Sequence, residues 1–171
     1  MLHTLTMLLD NQPGALSRVV GLFSQRGYNI HSLNVAPIRD GSLSRLTLVV
    51  DEPDNKIDAI VKHVDRVIDV VNVSDITGSG YVGAEMLLVK FATPNSDIRT
   101  QIEKAISSHK ATVVDSTETN ITVQLGGAPD FLDRVLSSFS DFEITEVARS
   151  GLSAISKGTN FLEEVDYRTT H

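Results

Sequence analysis

The sequence predicts an α+β fold in which a β-α-β-β-α-β unit is followed by a second unit of the same element order. Three observations predict it. Strand-like apolar segments and amphipathic stripes succeed one another in the same order twice, Gly, Pro, Asn and Asp cluster at the junctions, and a Gly/Ser stretch around Thr77-Gly78-Ser79-Gly80 falls between the two rounds. The chain has 171 residues, 41% hydrophobic and 22% charged, which is globular composition at a length suited to two small domains.

Residues 2–9 are apolar with partial alternation and run into Asp10-Asn11-Gln12-Pro13-Gly14, so a strand and a turn are expected. Leu16, Val19, Val20 and Phe23 then follow the spacing of one helix face. Gly27 follows the polar Gln25-Arg26 end of that stripe, where a left-handed residue closes a helix. Residues 29–37 and 43–50 read as a hairpin turning at Asp40-Gly41. Pro53 and Asp54 open a second helix with Ile57, Ile60, Val61 and Val64 on one face, and residues 67–76 supply a fourth strand.

The second round starts with a strand over 86–93. Pro94-Asn95-Ser96-Asp97 signals a helix start, with Ile98, Ile102, Ala105 and Ile106 facing inward. Strands over 111–115 and 121–125, a helix with Leu132, Val135, Leu136 and Phe139 inward, and a strand over 142–147 complete it. The order is the split βαβ, or ferredoxin-like, arrangement, an antiparallel four-stranded sheet with two helices on one face. The expected division is a first domain over 1–77, a linker over 78–84, a second domain over 85–158 and a tail over 159–171. With both helices on one side, the other sheet face and the sheet edges are expected to stay open, and pairing of two copies is the simplest remedy.

Charge and composition exclude several function classes. The formal net charge is -7 and neither half is basic, so a nucleic-acid partner has no electrostatic footprint. The absence of cysteine removes disulfides, thiolate metal sites and cysteine nucleophiles. No apolar run approaches the ~20 residues of a membrane span, and Leu2 to Leu9 follow Met1 without a basic segment or cleavage site, so a cytoplasmic protein is expected. Gly78-Ser79-Gly80-Tyr81-Val82-Gly83 matches a dinucleotide-binding pattern, but a strand-like segment follows where that pattern needs a helix. His3, His31, His63, His109 and His171 are scattered one per element, which predicts no metal site. No nucleophile motif or acid–base pair stands out, so the chain is read as non-catalytic.

One segment has the makings of a binding site. Asp10-Asn11-Gln12-Pro13-Gly14-Ala15-Leu16-Ser17-Arg18 leaves the first strand and enters the first helix with an uncovered backbone at Gly14-Ala15. The first amides of a helix lack intrahelical acceptors and carry partial positive charge, which suits a carboxylate. Asn11 offers a donor and an acceptor, and Asn29 in Gly27-Tyr28-Asn29-Ile30 is expected beside the same end of the sheet. A small zwitterion with an aliphatic tail fits these groups; helix capping by Asn11 is the plainer alternative.

The run from Asn11 to Ile30, with Ser32-Leu33-Asn34-Val35-Ala36, Ser44-Arg45-Leu46-Thr47-Leu48-Val49-Val50 and Glu146-Val147-Ala148-Arg149-Ser150-Gly151, resembles the small regulatory subunits of acetolactate synthase (acetohydroxyacid synthase) from Leu2 to about Gly158. The resemblance implies that the first domain is an ACT domain, that two protomers pair side by side through it, and that valine or a related branched-chain amino acid binds at their interface. It places Asn11, Gly14, Ala15 and Leu16 on one side of the effector and Asn29 and Ile30 of the facing protomer on the other, with Ser17 and Ala36 flanking. It also implies a large catalytic subunit carrying thiamine diphosphate, Mg²⁺ and FAD, with no cofactor on this chain. Two departures stand out: the family's Arg-Glu pair ahead of the second domain is Ala84-Glu85 here, and residues from Lys157 to His171 find no counterpart. An ACT-domain sensor regulating a different biosynthetic enzyme is the alternative implied. An RNA-binding module of this fold would need basic charge and sheet aromatics that the chain lacks, and a phosphate-cleaving enzyme would need a glycine-rich phosphate loop.

Overall fold

The computed structural model describes residues 1–159 and Leu162. The expected tail lies outside the described residues except for Thr159 and Leu162, as does His171. The chain forms two compact units: Met1–Val82 together with the described residues from Leu152 onward, and Gly83–Gly151.

Unit 1 contains β1 (Leu2–Asp10), α1 (Ala15–Arg26), β2 (Ile30–Ile38), β3 (Leu43–Asp51), α2 (Asp54–Val64) and β4 (Val70–Asp75). Its sheet is antiparallel in the order β2-β3-β1-β4, so β2 and β4 are the edges of that path. The period-two pattern of β1 sends Leu5, Met7 and Leu9 to one face, where they meet Leu46, Leu48 and Val50 of β3 and the stripe Val19, Phe23, Ile57, Ile60 and Val64 of the two helices. Gly27 closes α1 in the left-handed conformation at φ 67°. The Tyr28 amide reaches back to the Phe23 carbonyl and the two rings meet edge to face at 5.8 Å, the hydrophobic contact that accompanies such a cap.

Unit 1 differs from the sequence expectation in two respects. β4 begins at Val70 rather than at residue 67, because residues 67–69 form a turn in which the Val70 amide donates to the Val67 carbonyl, leaving Ile68 exposed. The sheet face away from the helices is not left wholly open either. A short strand, β9 (Ser153–Ser156), lies against it: Leu152 and Ala154 pack on Val49, Ile76 and Tyr81, and the Ala154 amide donates to Thr47 Oγ1 at 3.3 Å.

Unit 2 holds β5 (Tyr81–Ala92), which begins in unit 1, α3 (Ser96–Ser108), β6 (Thr112–Ser116), β7 (Asn120–Gly127), α4 (Pro129–Ser138) and β8 (Ile144–Arg149), with sheet order β6-β7-β5-β8. β5 starts at Tyr81, so the last glycine of the dinucleotide-like pattern, Gly83, lies inside a strand. Leu87, Val89 and Phe91 of β5 face the helices and join Ile102, Ile106, Val123, Leu132, Val135 and Phe139 in a second core. Glu85, which remains of the family's charged pair, is buried and bound by Arg149, which also reaches Asp133 of α4 at 2.5 Å. Asn95 caps α3 by accepting the Ile98 amide at 2.9 Å. Asn95→Ala is expected to cost about 1 kcal/mol, read as a lowered denaturant midpoint for unit 2 with an unchanged slope.

Candidate effector site at the start of α1

The turn from β1 into α1 is organised around Gly14, which adopts φ 89° and ψ -14°, a left-handed conformation that L side chains rarely adopt. No side chain caps this helix and its first turn carries no acidic residue. The other three helices each place an Asp in the first turn, Asp54, Asp97 and Asp130. The Ala15 amide donates to the Gln12 carbonyl at 3.2 Å and the Arg18 amide to the Gly14 carbonyl at 2.9 Å. Among the described residues, nothing accepts from the Leu16 and Ser17 amides. Two amides and the positive end of the helix dipole are thus left without an acceptor, an arrangement suited to a carboxylate.

Ala15 is buried, Leu16 half-buried against the core, and Ser17 exposed. Asn11 does not cap the helix. Its Nδ2 donates to the Gly41 carbonyl at 2.7 Å, its Oδ1 accepts from Ser44 Oγ at 3.1 Å, and its amide donates to the Ser42 carbonyl at 2.9 Å. Asn11 therefore ties the turn to the β2–β3 hairpin. Ala36 is exposed on β2 opposite Arg45, toward this same end of the sheet.

Asn29 and Ile30 lie elsewhere. Ile30 pairs with Val50, the Asn29 carbonyl accepts the Asp51 amide at 3.2 Å, and the Asn29 amide donates to Glu52 Oε1 at 3.3 Å. The Glu52 carboxyl is held below its ordinary range, first by Lys56 and then by this amide. Asp10 pairs with Leu43, at the other end of β3, so about 24 Å of strand separates the two groups at a rise of about 3.4 Å per residue. The expectation that Asn29 sits beside the helix start within one chain is corrected. α1 carries the chain back along the sheet before β2 begins.

An ion pair that no sequence pattern links lies beside this turn. Arg18 makes a two-pronged ion pair with Asp69, Nη2 to Oδ1 at 2.6 Å and Nε to Oδ2, and the Asp69 side chain is only 3% exposed. The pairing holds the Asp69 carboxyl below, and the Arg18 guanidinium above, their ordinary ranges. A depressed carboxyl contributes stability above its unfolded value and loses it as pH falls through the folded one. Among the described residues no group of three or more His, Cys, Asp or Glu could hold a metal ion, and no helix is long and apolar enough to cross a membrane.

Two helices on one face of an antiparallel four-stranded sheet, in the order β-α-β-β-α-β, define unit 1 as a ferredoxin-like α+β domain. The comparisons with known proteins are specific. The family of AHAS small subunit-like ACT domains matches residues 5–72, and the family described as the small subunit of acetolactate synthase matches 84–158. The acetolactate synthase isozyme 3 small subunit of Salmonella typhimurium is 40% identical over 163 residues, covering 95% of this chain and 99% of that one. The acetolactate synthase small subunit of Bacillus subtilis is 34% identical, with 93% and 92% covered. The crystal structure of the acetolactate synthase small subunit from Thermotoga maritima superposes with a TM-score of 0.85 at 26% identity, covering 94% and 99%. The chain belongs to the acetolactate synthase small-subunit family, whose ACT domain gives it a regulatory rather than a catalytic role in branched-chain amino acid biosynthesis.

Proposed function

We propose that this chain activates the large catalytic subunit of a cytoplasmic acetolactate synthase and makes it sensitive to valine or a related branched-chain amino acid. The observation that carries the proposal is the uncapped start of α1, where the Leu16 and Ser17 amides beside Gly14 have no acceptor among the described residues. The effector's carboxylate docks on these amides, its ammonium meets side-chain and main-chain oxygens, and its aliphatic tail lies against Leu16. Thiamine diphosphate, Mg²⁺ and FAD belong to the catalytic partner.

The site is completed by a second copy. Asn11, Gly14, Ala15 and Leu16 sit at one end of the sheet, Asn29 and Ile30 at the other, and β2 is an edge strand. Antiparallel pairing of β2 with its two-fold copy exchanges the ends, bringing Asn29 and Ile30 of one protomer beside Gly14 of the other. Ser17 and Ala36, both exposed, flank that junction. The corresponding domain division is an effector domain over 1–77, a linker over 78–84 whose residues from Tyr81 already belong to β5, and a second domain over 85–158. Family likeness across both halves supports it, and Leu152 and Ala154 packing on unit 1 adds a return of the chain to the effector domain.

Inhibition requires valine to favour the inhibitory arrangement, since a ligand with equal affinity for both shifts nothing. A preference of about 1–3 kcal/mol gives roughly 5–150-fold coupling. Reconstitution with the cognate large subunit is expected to raise acetolactate formation, and added valine to lower it. Absence of both effects in the reconstituted complex would overturn the proposal.

A further inference from the structure

The effector turn is fastened at both ends by one residue distant in sequence. Asp69, directly before β4, accepts the Asp10 amide on its main-chain oxygen at 2.8 Å. Its carboxylate takes Arg18 by two hydrogen bonds. The first contact fixes where the chain leaves β1; the second fixes the first turn of α1. On the other flank Asn11 is tied to the β2–β3 hairpin through Gly41, Ser42 and Ser44. Residues 12–14 therefore span a short gap between anchored ends. The planar guanidinium fork supplies direction as well as charge, and its Nη1 lies 3.0 Å from where a Cβ on Gly14 would be.

We infer that Asp69 and Arg18 are the positioning pair of the effector site, holding Gly14 left-handed and the Leu16 and Ser17 amides in place before any ligand arrives. This rests on the turn being the carboxylate receptor proposed above. Neither residue needs to touch the effector. A turn ordered in advance binds more tightly because less ordering remains to be done on binding. The other buried arginine–carboxylate pair among the described residues, Glu85 with Arg149, sits in unit 2, fastens β5 to β8 and reaches Asp133 of α4, a helix whose first turn, unlike that of α1, carries an acidic residue.

Asp69→Asn keeps the side-chain shape and removes the charge; Arg18→Lys keeps the charge and removes the fork. Two quantities are measured on the full chain: valine Kd by calorimetry, and amide hydrogen exchange of the valine-free protein. Asp69→Asn is expected to raise Kd about tenfold or more, with a smaller rise for Arg18→Lys. In the same valine-free variants the Ala15 and Arg18 amides are expected to exchange about tenfold faster, by local opening of the turn. Glu146→Gln, which breaks the Lys90 pair of unit 2, is expected to change neither. A valine Kd within about twofold of wild type in Asp69→Asn overturns the inference. So does faster exchange spread evenly over α1, α2 and the sheet of unit 1, which marks Asp69 as a support of the whole fold. Should wild-type protein take up no valine, the effector reading falls by itself, and the exchange measurement alone decides the role of the pair.

Discussion

Gly14→Asp is expected to weaken valine binding at least a hundredfold, about 2.8 kcal/mol, while leaving the chain folded. Three effects converge at this position. The backbone is left-handed at φ 89°, where any L residue is strained, though Asp tolerates that region better than most. A Cβ there would come within 3.0 Å of Arg18 Nη1, so the guanidinium held by Asp69 must give way slightly. The third effect decides the outcome. The new carboxylate stands at the helix start, next to the Leu16 and Ser17 amides and the Arg18 guanidinium, and Asp is a favoured N-cap. It satisfies the donors that the effector needs and repels the effector's own carboxylate. Strain and capping oppose each other in stability, so the thermal midpoint is expected to move by only a few degrees. Gly14→Ala carries the strain without the anion and separates the two contributions. Valine binding that survives in Gly14→Asp would remove the helix start from the site.

Much of the fold was legible because each core residue lies on the period of its element: the stripes Val19, Phe23 and Ile57, Ile60, Val64 all reach the first core. The boundary misreadings have local causes. Val67, Ile68, Val70 and Val71 form a strand-like apolar run, yet the turn at 67–69 turns Ile68 out to 88% exposure. The position of Asn29 was available from element order alone, since a helix of 12 residues travels about 18 Å and β2 must begin where it ends. The Arg18–Asp69 pair was not available. Its members stand 51 residues apart, and neither belongs to a repeating pattern. β9 was hidden for the same reason: its four residues carry too little alternation to signal a strand, and the contact that fixes it, Ala154 to Thr47, closes a loop of 107 residues.

Phe91→Ala is expected to destabilise unit 2 by about 3–5 kcal/mol, the range for removing a fully buried aromatic ring. Phe91 is fully buried in β5, between β7 and β8. It meets Phe139 edge to face at 5.0 Å and Phe142 at 6.2 Å, and such aromatic pairs add about 0.5–1.5 kcal/mol beyond the area they bury. The three rings join the central strand to the end of α4 and the approach to β8, so no single neighbour can close the cavity. Unit 2 spans Gly83–Gly151, and at roughly 0.05–0.15 kcal/mol per residue a unit of that size holds only about 3.5–10 kcal/mol in all. The substitution therefore removes about 30% or more of its stability. The two cores share no residue, so the loss is expected to fall on one of them. Amide exchange under mild denaturant should show protection collapsing for Val89, Val123 and Val135 while Leu5, Leu48 and Val19 keep theirs, and valine Kd should stay within about twofold of wild type. If protection were lost in both units together, the chain would be one cooperative fold, and the effector site would depend on the second core as much as on the first.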